Sequence, residues 1–127
     1  MKREDRGPDV LEHWTPAEVA AAFGRDEIVL IDVRTPQEFG VERIDGALLA
    51  PMQALAPAHL PDQSVKRIVL HCGSGVRSRK VAERCLDAGA GRIAHMEGGL
   101  KGWKDAGFAY TGTDVNTGAP TRMKIEV

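Results

Sequence analysis

The chain has 127 residues, enough for one domain that buries roughly two-thirds of its unfolded surface without a metal or disulfide to hold it. A net charge of −1 without a long basic run argues against a nucleic-acid surface, and no apolar run approaches the roughly 18 residues of a membrane span. The charged start, Met1 to Asp9, lacks the apolar stretch of a signal peptide, and two cysteines make no disulfide framework, so a cytoplasmic location is expected.

Residues 1–12 mix both charges without periodicity and are expected to be a mobile lead-in to a domain over 13–110. Thr15-Pro16-Ala17-Glu18 reads as a capping box with proline in the first turn; it opens a helix to about Phe23, closed by Gly24. Ile28 to Val33 is a β-branched apolar run of strand length, consistent with burial on both faces. Thr35-Pro36-Gln37-Glu38-Phe39 predicts a turn into a short helix. Gly46-Ala47-Leu48-Leu49 is a second short apolar segment that Pro51 closes, and a helix is expected over Met52 to Leu60.

Ile68 to His71 predicts the next strand, followed by a glycine-containing loop and a helix from about Ser78 to Ala88. Ile93 to Met96 predicts another strand, and Gly98-Gly99 leads into a helical turn through Trp103. Strands alternating with helices give an α/β fold of three layers, a mainly parallel central sheet flanked by helices. The tail over 111–127 is rich in Thr and Gly, with an edge strand expected over Met123 to Val127.

Residues 68–79, Ile-Val-Leu-His-Cys-Gly-Ser-Gly-Val-Arg-Ser-Arg, carry the chemistry. A strand ends at Cys72, glycines follow at 73 and 75, Arg77 stands five residues on, and a helix begins. This places one thiol at the mouth of a helix, within reach of successive backbone N–H groups and positive charge, and predicts an accessible, easily ionised nucleophile. The competing interpretation is a buried, inert cysteine before an incidental glycine turn.

Residues 77–84 hold Arg77, Arg79, Lys80 and Arg84 against Glu83, and three of these cations sit where the helix begins, the end at which the macrodipole disfavours them. Lys80 and Arg84 read as a solvated face; Arg77, whose planar fork suits an oxyanion, reads as an anion ligand. Ser74 can donate to a bound oxyanion or to its own loop, and Ser78 reads as a helix cap rather than a nucleophile. Cys85 shares an apolar helix face with Val81 and Ala88 and reads as core. The histidines at 13, 59, 71 and 95 show no metal-ligand spacing, and strand alternation turns His71 away from Cys72.

Three segments resemble the single-domain rhodaneses, a sulfurtransferase family: Ile-Asp-Val-Arg-Thr-Pro-Gln-Glu-Phe at 31–39 with Arg-Ile-Asp-Gly-Ala at 43–47, His-Cys-Gly-Ser-Gly-Val-Arg-Ser at 71–78, and Glu-Gly-Gly-Leu-Lys-Gly-Trp at 97–103. The chain departs from the family pattern at Arg43, where many relatives have His, and at Asp45, where they have Pro or a basic residue. The resemblance implies that Cys72 accepts a sulfane sulfur as a persulfide and passes it to a thiophilic acceptor. The N–H groups of the loop, Gly73, Ser74, Gly75, Val76 and Arg77, would hold the adduct, with Asp32, Arg34 and Ser78 in support.

It further implies a small anionic donor such as thiosulfate, an acceptor that is cyanide, a thiol or a protein, no metal or organic cofactor, and no nucleic-acid or membrane partner. Two alternatives remain: a sulfur-relay or protein-interaction module with incidental thiosulfate activity, and a phosphatase or arsenate reductase. The four residues between Cys72 and Arg77 match the sulfurtransferase pattern of the scaffold rather than the wider phosphatase loop with five.

Overall fold

The computed structural model describes residues 1–123. In chain order its elements are β1 (Lys2–Arg6), β2 (Asp9–Trp14), α1 (Pro16–Gly24), β3 (Ile28–Asp32), α2 (Pro36–Val41), β4 (Leu48–Leu49), β5 (Arg67–His71), α3 (Val76–Asp87), β6 (Arg92–Met96), α4 (Gly99–Asp105), β7 (Tyr110–Thr113) and β8 (Pro120–Met123). The six-stranded sheet runs β1-β2-β6-β5-β3-β4. Strands β2 to β6 pair in parallel, and β1 lies antiparallel to β2 at one edge. Among the described residues no helix is long and apolar enough to cross a membrane.

Strand alternation sorts the apolar residues into two layers. Leu11, Ile31, Val33, Ile68, Leu70, Cys72 and Ile93 pack with Val81, Ala82, Cys85 and Leu86 of α3. On the other face Ile28, Leu30, Val69, Ala94 and Met96 pack with Val19 and Ala22 of α1 and with Leu100 and Trp103 of α4. The central strands are therefore buried on both sides, as β-branched runs in a parallel sheet require. This is the three-layer α/β architecture expected from the sequence.

Both helices that open on Thr-Pro start alike. Thr15 accepts from the Glu18 N–H and Thr35 from the Glu38 N–H, while each glutamate reaches back to the threonine N–H. Such a box satisfies two orphan donors at once. The box at Thr35 fixes the position of Glu38, which matters at the site below.

Three segments differ from expectation. The lead-in over residues 1–12 supplies β1 and most of β2, turned through Gly7, and Leu11 is fully buried. Its mixed charge conceals the strand because β1 is an edge, whose outward positions are charged. Residues 52–60 form turns and one 3₁₀ turn at Pro57–His59 instead of a helix. Prolines at 51, 57 and 61 interrupt the ladder, and Arg84 takes over as donor to the carbonyls of Met52 (3.0 Å) and Leu55 (2.7 Å). Arg84 is thus a tether, not part of a solvated face. In the tail, β7 and β8 form a separate antiparallel pair; of the strand expected over 123–127, Met123 ends β8 and residues 124–127 lie outside the described residues.

Leu70 is wholly buried in the central strand β5. Leu70→Ala is expected to lower unfolding free energy by about 3 kcal/mol, with a cavity left between sheet and α3. A urea titration followed by circular dichroism measures this; a loss below about 1 kcal/mol would mean that the site collapses and the layer is not tightly packed.

Candidate active site

The loop from Cys72 to Arg77 joins β5 to α3 at the carboxyl end of the sheet, where ligands of open α/β sheets bind. Gly75 is the helix N-cap with φ +103, and α3 turns away immediately after it. The turn aims two amide donors at the cysteine sulfur: Gly75 N–H at 3.0 Å and Ser78 N–H at 3.4 Å. The Ser78 hydroxyl lies 3.7 Å from Sγ. Burial opposes ionisation of Cys72, but the Ser78 N–H and hydroxyl and the N–H groups of Ser74 and Gly75 outweigh it, so the thiol is held below its ordinary pKa. Cys85, buried without such donors, is pushed up.

The accessible thiol expected from the sequence is not what the structure shows: Cys72 is 0 % exposed. The cause is strand parity. Cys72 continues the Ile68–Leu70 face of β5 and so points into the layer beneath α3. The converging amides still reach it there. A reagent from solvent reaches the sulfur only when the loop or the side chain moves.

The loop backbone is held from below by α4. Leu100 N–H donates to Cys72 O at 2.8 Å and Lys101 N–H to Gly73 O at 3.1 Å. Gly99, at φ +58, sits so close that a Cβ would stand 2.5 Å from Cys72 O and 2.6 Å from Ser74 N. The Gly98-Gly99 pair is therefore a seat for the loop, while Leu100 and Trp103 are packing residues as expected.

Arg77 does not present a free fork. Its two terminal nitrogens bond Glu38 at 2.7 and 2.9 Å. The Arg77 guanidinium is the main reason that the Glu38 carboxyl is held down to about 2. The anion site expected at Arg77 is thus already occupied by a side chain, a partner that sequence spacing alone does not identify; the visible signal is the second Thr-x-x-Glu box. Val76 stands 60 % exposed at the start of α3, with its neighbour Ser74 and Gly75 bordering a cleft of about 540 Å³ that His13, His95 and Arg79 also line.

Asp32 and Arg34 form a buried pair away from the sulfur. Arg34 donates to Asp32 through its backbone N–H (2.9 Å), Nε (3.1 Å) and Nη2 (2.8 Å), and through Nη2 to Glu42 O at 2.6 Å. These bonds tie the end of β3 to the end of α2; removing one partner would strand a buried charge. His71, opposite Asp32 in the sheet, is 0 % exposed with its pKa lowered by burial, and meets Cys72 only through the Cys72 carbonyl at 3.2 Å.

Ser78 is not a cap. It is the third residue of α3, and its hydroxyl bridges the sulfur and His95 Nδ1, 2.9 Å away. Arg43 and Asp45, the departures from the family pattern, both serve the tail: Arg43 and Thr111 exchange backbone hydrogen bonds at 2.8 Å, and the Thr111 hydroxyl bonds Asp45.

Two outcomes follow from this geometry. Glu38, depressed in the folded state, stabilises it above pH 4.5, and that contribution is lost as pH falls from 4.5 to 2; Glu38→Gln should flatten this part of an acid-unfolding profile, and an unchanged profile would show that the pair is energetically silent. Gly99→Ala must displace the loop, so the Cys72 thiol should titrate closer to its ordinary value, read from thiolate ultraviolet absorbance against Cys72→Ser.

The rhodanese-like domain family matches residues 15–106. Among curated proteins the chain is 42% identical over 84 residues to the uncharacterized protein slr1261 of Synechocystis, covering 66% of this chain and 47% of that one, so it spans about half of that relative's length. It is 32% identical over 84 residues to a sulfurtransferase of Allochromatium vinosum, covering 65% of this chain and 78% of the relative. A solved rhodanese-like domain protein of Staphylococcus aureus superposes with TM-score 0.62 at 29% identity, over 72% of this chain and 90% of that one. Since the family match takes in the α2 capping box, the loop after β5 and the glycine seat beneath it, the chain belongs to the rhodanese-like sulfurtransferase family.

Proposed function

We propose that this protein transfers sulfane sulfur from an anionic donor such as thiosulfate to cyanide, a thiol or a protein acceptor through a persulfide on Cys72. The observation that carries this reading is the pair of backbone N–H groups, from Gly75 and Ser78, directed at a sulfur whose pKa is lowered. Donors placed this way favour a negatively charged sulfur over a neutral one, and would do the same for a persulfide anion in the same loop.

In the first step the Cys72 thiolate attacks the outer sulfur of thiosulfate. A bond forms between Sγ and that sulfur, the bond to the central sulfur breaks, and sulfite leaves with the electron pair. In the second, the acceptor attacks the outer sulfur of the persulfide and the pair returns to Sγ as thiolate. No step needs a carboxylate base if thiolate is present, which suits the withdrawn position of Asp32. Because the sulfur is covered, the loop over residues 73–77 or the Cys72 side chain must move before it meets the donor.

The loop length supports sulfur over phosphate as the transferred group, and the Allochromatium relative named a sulfurtransferase supports the reaction class. Arg77, paired with Glu38, supports the loop's shape and supplies positive potential instead of a bare anion ligand.

Intact mass after incubation with thiosulfate tests the reading. Wild-type protein should gain one sulfur, Cys72→Ser none, and Cys85→Ser should gain as wild type does. A wild-type protein that takes up no sulfur while folded would overturn the reading, as would equal loss in both variants.

A further inference from the structure

A buried polar chain leads away from Cys72 on the face of the sheet beneath α3. The Ser78 hydroxyl lies 3.7 Å from Sγ and 2.9 Å from His95 Nδ1. His95 Nε2 lies 2.8 Å from His13 Nδ1, and His13 Nε2 lies 3.2 Å from Glu4 Oε1 at the surface. His13 and His95 are direct partners in the parallel register of β2 and β6, and their rings meet edge to face. Ser78, His95 and His13 are all buried. Every ring nitrogen of both histidines is thus committed to this one line.

The direction of the line follows from its outer end. Glu4 bonds Arg6 and Arg79, and chiefly through Arg6 its carboxyl is held at about 2, so it can only accept. His13 must then donate through Nε2, which leaves Nδ1 of the neutral ring as acceptor. His95 must donate to it through Nε2 and accept at Nδ1 from the Ser78 hydroxyl. Ser78, having given its one proton, can accept from the Cys72 thiol.

The geometry points to His95 and His13 as positioning residues that carry the Cys72 proton out to Glu4 and leave the thiolate behind; this rests on the nucleophilic role given to Cys72 above. The proton moves in three concerted shifts that balance, Sγ to Ser78 Oγ, Ser78 to His95 Nδ1 and His95 Nε2 to His13 Nδ1, followed by a fourth. The fourth is release from His13 Nε2 toward Glu4 and solvent. Before that release His13 is an imidazolium against the Glu4 carboxylate, His95 is again neutral in the other tautomer, and Ser78 donates to the thiolate. Until that release, each hydrogen bond inward of Glu4 is remade with reversed polarity while His13 Nε2 still donates to the Glu4 carboxylate, so neither the starting state nor this one leaves a group of the line unsatisfied.

The surroundings suit transit rather than storage at His95. Burial first, then His13 and Arg79, push its pKa down to about 4, so it passes the proton on without holding it. The charged groups facing the two rings are Glu4 and Arg6 from β1, Arg79, Lys80 and Glu83 from α3, and Glu97 after β6. Glu4 and Glu83 favour a cation here and Arg79 opposes it. A cleft of about 540 Å³ borders both histidines, giving the released proton its way to water.

His13→Gln is the decisive variant. It is three links from the sulfur, and with its amide oxygen accepting from His95 Nε2–H it keeps the line in its starting polarity, so the Ser78 hydroxyl stays turned to His95 and does not stabilise the thiolate. In folded His13→Gln the Cys72 thiolate absorbance, taken as the difference from the same protein carrying Cys72→Ser, should titrate about one pH unit higher than in wild type, a tenfold smaller thiolate fraction below the transition. An unshifted titration in the folded variant overturns the relay, since a merely structural histidine would cost stability alone. Should the variant not fold, nitrogen-15 spectra of wild-type protein decide. With Cys72 protonated both rings should be the Nε2–H tautomer, and an Nδ1–H tautomer at either overturns the proposal. Thiosulfate plays no part in these readings, so a failed sulfur uptake and a failed relay are told apart.

Discussion

Between the backbone after β5 and the first turn of α4 there is no room for a side chain. A Cβ on Gly99 would sit 2.5 Å from the Cys72 carbonyl oxygen, and the carbonyls of Cys72 and Gly73 find their donors in Leu100 and Lys101. This contact keeps the loop carbonyls facing α4 and leaves the N–H groups of Gly75 and Ser78 facing the sulfur. A peptide group has two ends, and fixing one end fixes the other. The electrostatics of Cys72 therefore depend on a glycine 27 residues further along the chain.

The same arrangement shows how a helix can begin among cations. Arg77 is neutralised by Glu38, Arg79 by Glu4, and Arg84 is spent on the carbonyls of residues 52 and 55. What remains to hold a negative sulfur is a set of amide dipoles. These need no counter-ion and already face the sulfur in the closed loop, the condition for preorganised stabilisation in the proposed transfer. The half-buried Arg77–Glu38 pair adds a modest contribution to stability, and it also places the loop.

Burial of the thiol has two consequences for the proposed chemistry. It raises the effect of every donor near the sulfur, because the local dielectric is low. It also means that, with the loop closed, the sulfur does not face open water, and the line through Ser78, His95 and His13 is a polar path that leads outward from Sγ. A donor enters by motion of the loop or the side chain; the proton departs along the sheet. The hairpin of β1 and β2 thereby joins the site, since it brings both His13 and Glu4.

Local patterns in the sequence were sufficient for the elements that local physics dictates. The capping box at Thr15, the apolar runs of β3, β5 and β6, and the strand–Cys–Gly–x–Gly–x–Arg turn all declare themselves within a dozen residues, and resemblance to the rhodaneses ordered them into a three-layer fold. Where contacts are distant, the pattern is mute. Residues 1–12 look structureless because an edge strand keeps its charges outward. The helix expected at 52–60 yields to prolines and to an arginine some thirty residues away. Arg77 looks like a free anion ligand until α2 brings Glu38 against it. The sequence by itself determined the identity of the nucleophile candidate and the type of loop that holds it, because strand, glycine turn and helix start are set by neighbours along the chain. Only the tertiary structure decided that this sulfur lies buried, what pairs with Arg77, and that two histidines 82 residues apart meet beside it, because each of those outcomes depends on which strands lie side by side and which face of the sheet each residue takes.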